Sequence, residues 1–161
     1  IANENSSIST ADKTAKFETV AKDYPSTSYG IFASWELAAL YVIPTKLDTK
    51  SFNMNIANIP KAIQILQQSA EANPKSNLTN ITKTRLAKLY LASNQADKAI
   101  GTLQSTTNLQ DNAYPLMLLG QADLQQKDKT KAIQTWQKAE QDQNSSPEFK
   151  KIIAQLINNV S

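Results

Sequence analysis

One spacing in this chain restricts its fold more than any other feature. Leu86-Ala87 is followed twelve residues after the alanine by Ala99, and four residues later by Leu103. A shift of 33 residues reproduces the pattern as Leu119-Gly120, Ala132 and Trp136. A large–small pair, a small residue twelve further on and a bulky apolar residue four beyond that describe two helices in close contact. The small residue on the first helix lets the second approach, and the alanine on the second accepts the helix that follows. Internal repeats of this period mark stacked helical hairpins, each unable to bury its apolar face alone.

The period and the small-residue positions are those of a tetratricopeptide-type hairpin of helices A and B. A third, earlier unit obeys the same logic, with Leu37-Ala38 and Tyr41 on helix A and Ala62 and Leu66 on helix B. Pro74 is placed to end its helix B. Ala38 and Ala62 are 24 residues apart instead of twelve, so about twelve residues are inserted over 43–58, as an extended loop or by lengthening both helices. Ser9-Thr10 with Asp12 predicts a helix start, and Ala15, Phe17, Val20 and Ala21 give that helix an apolar stripe ending before Pro25. Ser146-Pro147-Glu148 predicts another, over 147–158, with Phe149, Ile152, Ile153 and Leu156 as its apolar side. The expected fold is all-α: a solenoid of three hairpins between N- and C-terminal capping helices, in one domain over 1–161 with a flexible start at 1–8.

Composition agrees with helices and removes most chemistry. The 161 residues include no cysteine and no histidine. Disulfides, thiol nucleophiles, imidazole bases and His- or Cys-bound metals therefore have no candidate residues. Gly30, Gly101 and Gly120 are isolated, so no phosphate-cradling glycine loop exists. No carboxylate pair is positioned for hydrolysis, and no cofactor or metal is implied. The net charge of +3 comes from 16 scattered lysines, Arg85 and 14 acids. Nucleic-acid sites concentrate Arg and Lys on one face, so these lysines read as solvated surface. No apolar run is long enough to span a membrane, and a chain starting at Ile1 reads as a processed or trimmed piece of a longer protein.

Other residues are less generic. Phe17, Tyr29-Gly30, Ala33-Ser34, Glu36-Leu37-Ala38 and the closing Ile157-Asn158-Asn159-Val160-Ser161 accompany the repeat positions. With Thr102-Leu103, Ala122, Leu124, Asp128 and Ser146-Pro147, they make nearly the whole chain resemble the periplasmic domain of YfgM-type ancillary subunits of the SecYEG translocon. The insert after Tyr41 departs from that family's pattern. The resemblance implies a non-enzymatic protein-interaction domain on the periplasmic face of the bacterial inner membrane, anchored by one N-terminal transmembrane helix absent from this chain. It implies as partners the translocon, a membrane-anchored periplasmic peptidyl-prolyl isomerase and unfolded secreted clients, with a role in handover or chaperoning. A periplasmic tetratricopeptide adaptor for outer-membrane assembly or cell-wall division is the competing reading.

In such a solenoid the A helices line the binding groove. Positions five and two before the repeat leucine are Phe32 and Trp35, Ile81 and Thr84, and Tyr114 and Met117. Further along the same helices come Lys88, Leu91, Gln121 and Leu124. Aromatic, aliphatic and methionine side chains of this kind suit an extended or helical peptide. Packing beneath the terminal helices is the alternative for Phe32, Trp35, Tyr114 and Met117, whereas the helix B position assigns Trp136 to the core.

Overall fold

Why the chain folds into hairpins is visible at its helix ends. The computed structural model describes residues 8–43 and 55–160; most of the expected flexible start and of the insert lies outside them. Among the described residues there are eight α-helices and no strand: α1 (Thr10–Asp23), α2 (Ser28–Val42), α3 (Ile59–Ala72), α4 (Leu78–Ala92), α5 (Ala96–Gln104), α6 (Ala113–Gln125), α7 (Lys129–Glu140) and α8 (Pro147–Asn158). The order is the expected one, with hairpins α2–α3, α4–α5 and α6–α7 between terminal helices α1 and α8. The chain divides into two compact units, residues 1–82 and 83–161, with the boundary inside α4.

In the first unit, the Ser9 hydroxyl accepts the Asp12 N–H and caps α1, as predicted. α1 lies on α2 with Phe17, Val20 and Ala21 half-buried. Gly30 is obligatory at this crossing. A Cβ there would lie 3.2 Å from Pro25 Cα and closer still to the Tyr24 carbonyl. Asn73 then ties the end of α3 to the same turn, donating from Nδ2 to the Pro25 carbonyl at 2.7 Å.

The insert lengthens neither helix. α2 ends four residues after Ala38, whereas α4 and α6 end five after their small residues, and α3, α5 and α7 each begin three before their alanine. The Asn55 N–H donates to the Val42 carbonyl at 3.0 Å.

In the second unit the 33-residue register extends to the backbone of the turns. Asn94 and Lys127 are both left-handed, with φ of 56° and 64°. The N–H groups of Gln95 and Asp128 donate back to the Tyr90 and Asp123 carbonyls, while those of Asn94 and Lys127 donate to Leu91 and Leu124. This paired pattern closes a helix through one left-handed residue, a position that usually favours glycine. The Ser146 hydroxyl caps α8 by accepting the Phe149 N–H. α8 then buries Ile153 against α7, but Ile152 remains half exposed.

The repeat positions form the core. Ala62, Ala87, Ala99, Leu103, Ala132 and Trp136 are fully buried, and Leu37 and Leu66 nearly so. Trp136 takes the bulky helix B position and donates from Nε1 to the Met117 carbonyl at 3.0 Å. No helix among the described residues is long and apolar enough to cross a membrane.

Candidate functional site

The A helices α2, α4 and α6 carry the predicted groove residues, and the repeat sorts those residues by exposure. The position five before the leucine is open in every hairpin: Phe32 is 48% exposed, Ile81 45% and Tyr114 43%. Large apolar side chains in one register, half in water, give each hairpin an uncovered contact point of the kind that binds protein segments.

Two expectations are corrected here. Trp35 belongs to the core of the first unit. It is 8% exposed and donates from Nε1 to Thr82 Oγ1 at 2.8 Å. An indole N–H needs a partner once buried, and the threonine on α4 supplies it. Phe32 stands edge-on to the Trp35 ring, with centroids 5.1 Å apart and planes at 82°. The tryptophan thus supports the exposed phenylalanine. Leu91 is also buried, at 8% exposure, and its carbonyl accepts from Gln125 Nε2 at 3.1 Å.

The remaining candidates are graded. Lys88 is exposed, while Thr84, Met117, Gln121 and Leu124 are partly buried. Tyr114 meets the C-terminal helix, its ring 6.4 Å from that of Phe149 and inclined at 57°. One edge of Tyr114 is therefore packed and the other open. The structure brings Phe32 and Trp35 together, and gives Tyr114 a neighbour outside the predicted set.

A second constellation was missed by sequence reasoning and follows the same register. Three residues after the small helix A position stand Tyr41, Tyr90 and Asp123, all buried. One residue before the helix B alanine stand Lys61, Lys98 and Lys131. In each hairpin the lysine reaches across to its partner. Lys61 Nζ lies 4.1 Å from the Tyr41 ring centroid, Lys98 Nζ 5.7 Å from that of Tyr90, and Lys131 Nζ 2.9 Å from Asp123 Oδ1. The signal was present: superposing the three units aligns lysine with lysine. The partner changes from aromatic to acid, which hid the pattern.

Burial raises the Tyr41 phenol, with its hydrogen bond to Glu18 adding to the rise, and burial alone raises Tyr90. The hydrogen bond to Asp123, followed by its charge, raises the Lys131 ammonium. Asp123 Oδ2 also accepts the Thr135 hydroxyl at 3.1 Å. A buried carboxylate is thus held by an ammonium and a hydroxyl, as its burial demands. Asp142 serves a separate joint. Its carboxylate accepts the Asn144 N–H at 2.9 Å and the Ala113 N–H at 3.1 Å, the latter at the start of α6. These bonds, the one from Asn144 first, lower its pKa.

No group of three acids among the described residues is arranged to hold a metal ion. What the A helices present at Phe32, Ile81 and Tyr114 is apolar contact area.

Comparison with known families matches residues 1–161 to the model of the tetratricopeptide repeat-like domain. A protein of Buchnera aphidicola subsp. Schizaphis graminum, named "Ancillary SecYEG translocon subunit", is 29% identical to this chain over 135 residues. That match covers 82% of this chain and 61% of the relative, so the likeness extends over less than two thirds of the relative's length.

Proposed function

Because the chain belongs to the tetratricopeptide repeat-like domain family, we propose that it is a non-enzymatic protein-interaction domain serving the SecYEG translocon. The observation that carries the reading is its likeness to the Buchnera aphidicola protein named "Ancillary SecYEG translocon subunit", over four fifths of this chain. In this reading the domain stands on the periplasmic face of the inner membrane, held by an anchor. It works with a membrane-anchored peptidyl-prolyl isomerase in passing secreted polypeptides onward. The contact points are the half-exposed Phe32, Ile81 and Tyr114, with Lys88, Thr84, Met117, Gln121 and Leu124 beside them in the repeat. Apolar anchors surrounded by polar groups support affinity through burial, while the polar rim sets orientation.

The test is site-specific photocrosslinking in membranes, with the probe placed in turn at Phe32, Ile81 and Tyr114. Crosslinks to SecY, SecE, SecG or the isomerase are expected, and none from a probe at Lys138 on the exposed side of α7. Absence of all four partners from all three positions would refute the reading.

A further inference from the structure

α1 is seated differently from the other helices. Among the described residues it is the one α-helix of the eight without a buried side chain. Phe17, Val20 and Ala21 reach only half-burial, whereas α8, the other terminal helix, buries Ile153 completely. A cleft of about 530 Å³ opens beneath α1, with Glu18, Ala21 and Lys22 on one side and Leu37 and Ile65 of α2 and α3 on the other. Side chains that face a gap lose their contacts on that side, so the apolar hold on α1 is thin there.

The polar hold is slight as well. Glu18 accepts the Tyr41 hydroxyl and lies 3.8 Å from Lys61 Nζ, and the carboxylate and the ammonium are both about half exposed. Water competes for ion pairs at that exposure. The turn after α1 is fixed by contrast. The Thr27 hydroxyl donates to the Tyr24 carbonyl at 2.8 Å, and Asn73 Nδ2 donates to the Pro25 carbonyl at 2.7 Å. A helix weakly seated along its length and pinned at the turn that follows opens about that turn, with Asp23–Tyr24 as the pivot. A helix of 14 residues is marginal alone in water, so a lifted α1 also unwinds. We propose that α1 is a releasable cover, which leaves the folded α2–α3 hairpin as one unit and bares Leu37, Tyr41 and Ile65. Leu37 and Tyr41 are no more than 9% exposed while α1 is seated. Segments with few buried apolar contacts open below the global unfolding free energy, and α1 has the fewest such contacts of the eight helices. The proposal concerns the seat of α1 and stands apart from the reading of Phe32, Ile81 and Tyr114 as contact points.

Native-state amide hydrogen exchange on the whole chain, with urea varied below the unfolding transition, is the test. Amides of Thr19, Val20 and Ala21 should exchange at least about tenfold faster than those of Ile63, Ile65 and Leu66. α3 buries Ile59, Ile63 and Leu66, and one such side chain is worth about tenfold in an opening equilibrium. Urea should speed the α1 amides weakly, because lifting one helix exposes little surface, and the α3 amides steeply. Ile63 is two residues from both Lys61 and Ile65 and so lies across α3 from them. Ile63→Val should speed α3 exchange about fivefold and leave α1 exchange unmoved, since it weakens the hairpin whether or not α1 is seated. Three results would overturn the proposal. They are one exchange rate and one urea slope shared by α1 and α3, an Ile63→Val chain in which both helices speed by the same factor, or protection that changes residue by residue along α1, which is fraying.

Discussion

Gly120→Ala looks harmless by the repeat, since Ala38 and Ala87 occupy the equivalent positions. Its partner makes the difference. A Cβ on Gly120 would lie 2.5 Å from Cδ1 and 2.8 Å from Cε2 of Trp136, and nearer still to Nε1. Carbon atoms in contact prefer about 3.5–4.0 Å, so the indole must retreat by roughly 1 Å. Trp136 has no exposed surface and nowhere easy to go. Overpacking costs about 1–3 kcal/mol, and pulling Nε1 from the Met117 carbonyl leaves a buried donor unpaired at about the same cost. Alanine returns about 1 kcal/mol as the better helix former. The net loss is about 3 kcal/mol, or roughly 6–12 °C in melting temperature for a chain of this size. Thermal and urea unfolding, followed by circular dichroism and tryptophan fluorescence, measure it. Gly101→Ala is the control, because no atom lies within 4 Å of a Cβ there; it should gain about 0.5–1 kcal/mol. In the Gly120→Ala/Trp136→Leu double variant, the pair copies the buried Ala87 and Leu103 of the previous hairpin. It should be less destabilised than the sum of the single changes by at least about 1 kcal/mol. A Gly120→Ala chain that melts at or above the parent would refute the argument, as would strict additivity in the double variant.

Three further outcomes follow from the geometry. Trp35→Ala should cost about 3–5 kcal/mol, as a large core truncation does, while Phe32→Ala leaves the melting temperature within about 1 °C and weakens capture of the proposed translocon partner; equal melting of both variants would return Trp35 to the surface. Lys131→Met strands the buried Asp123 carboxylate, for a loss of about 2 kcal/mol after allowing for the half-exposed lysine, whereas Lys98→Met removes a long cation–π contact worth about 0.5 kcal/mol and an exposed hydrogen bond to Gln95 Oε1; urea midpoints decide between them. Asp142 has its pKa lowered by folding, so its stabilising effect is present above the ordinary carboxylate value of 3.8 and fades as pH falls through the lower folded value. The melting difference between the parent and Asp142→Asn should therefore be largest near neutrality and shrink in acid; a constant difference would remove the charged form from the explanation.

Much of the fold was legible because its signals are local. Ser9 and Ser146 cap helices through bonds to residues three positions on, and such short-range patterns survive in any sequence reading. The small–bulky spacing is equally direct, since two helices approach only where both lack bulk. The A-helix site was half legible. Spacing identifies which side of a helix turns one way, and Phe32, Ile81 and Tyr114 are open as that spacing implies. It cannot say what closes over a given residue. Spacing left Trp35 open between groove and core because its hydrogen-bond partner, Thr82, is 47 residues away.

The sequence by itself determined eight helices in three hairpins with two caps, and excluded the chemistry that needs cysteine or histidine. Tertiary structure decided which small residue is replaceable and which is not. Gly101 has open space above it, Gly120 faces an indole ring, and Gly30 faces the chain's own backbone. It also decided that one lysine position clasps tyrosine twice and aspartate once, and that the buried Ser69 hydroxyl stands unpaired. The reason is physical. A residue's conformational preference is written in its neighbours along the chain, but steric fit and electrostatic partnership depend on the atoms that folding brings against it.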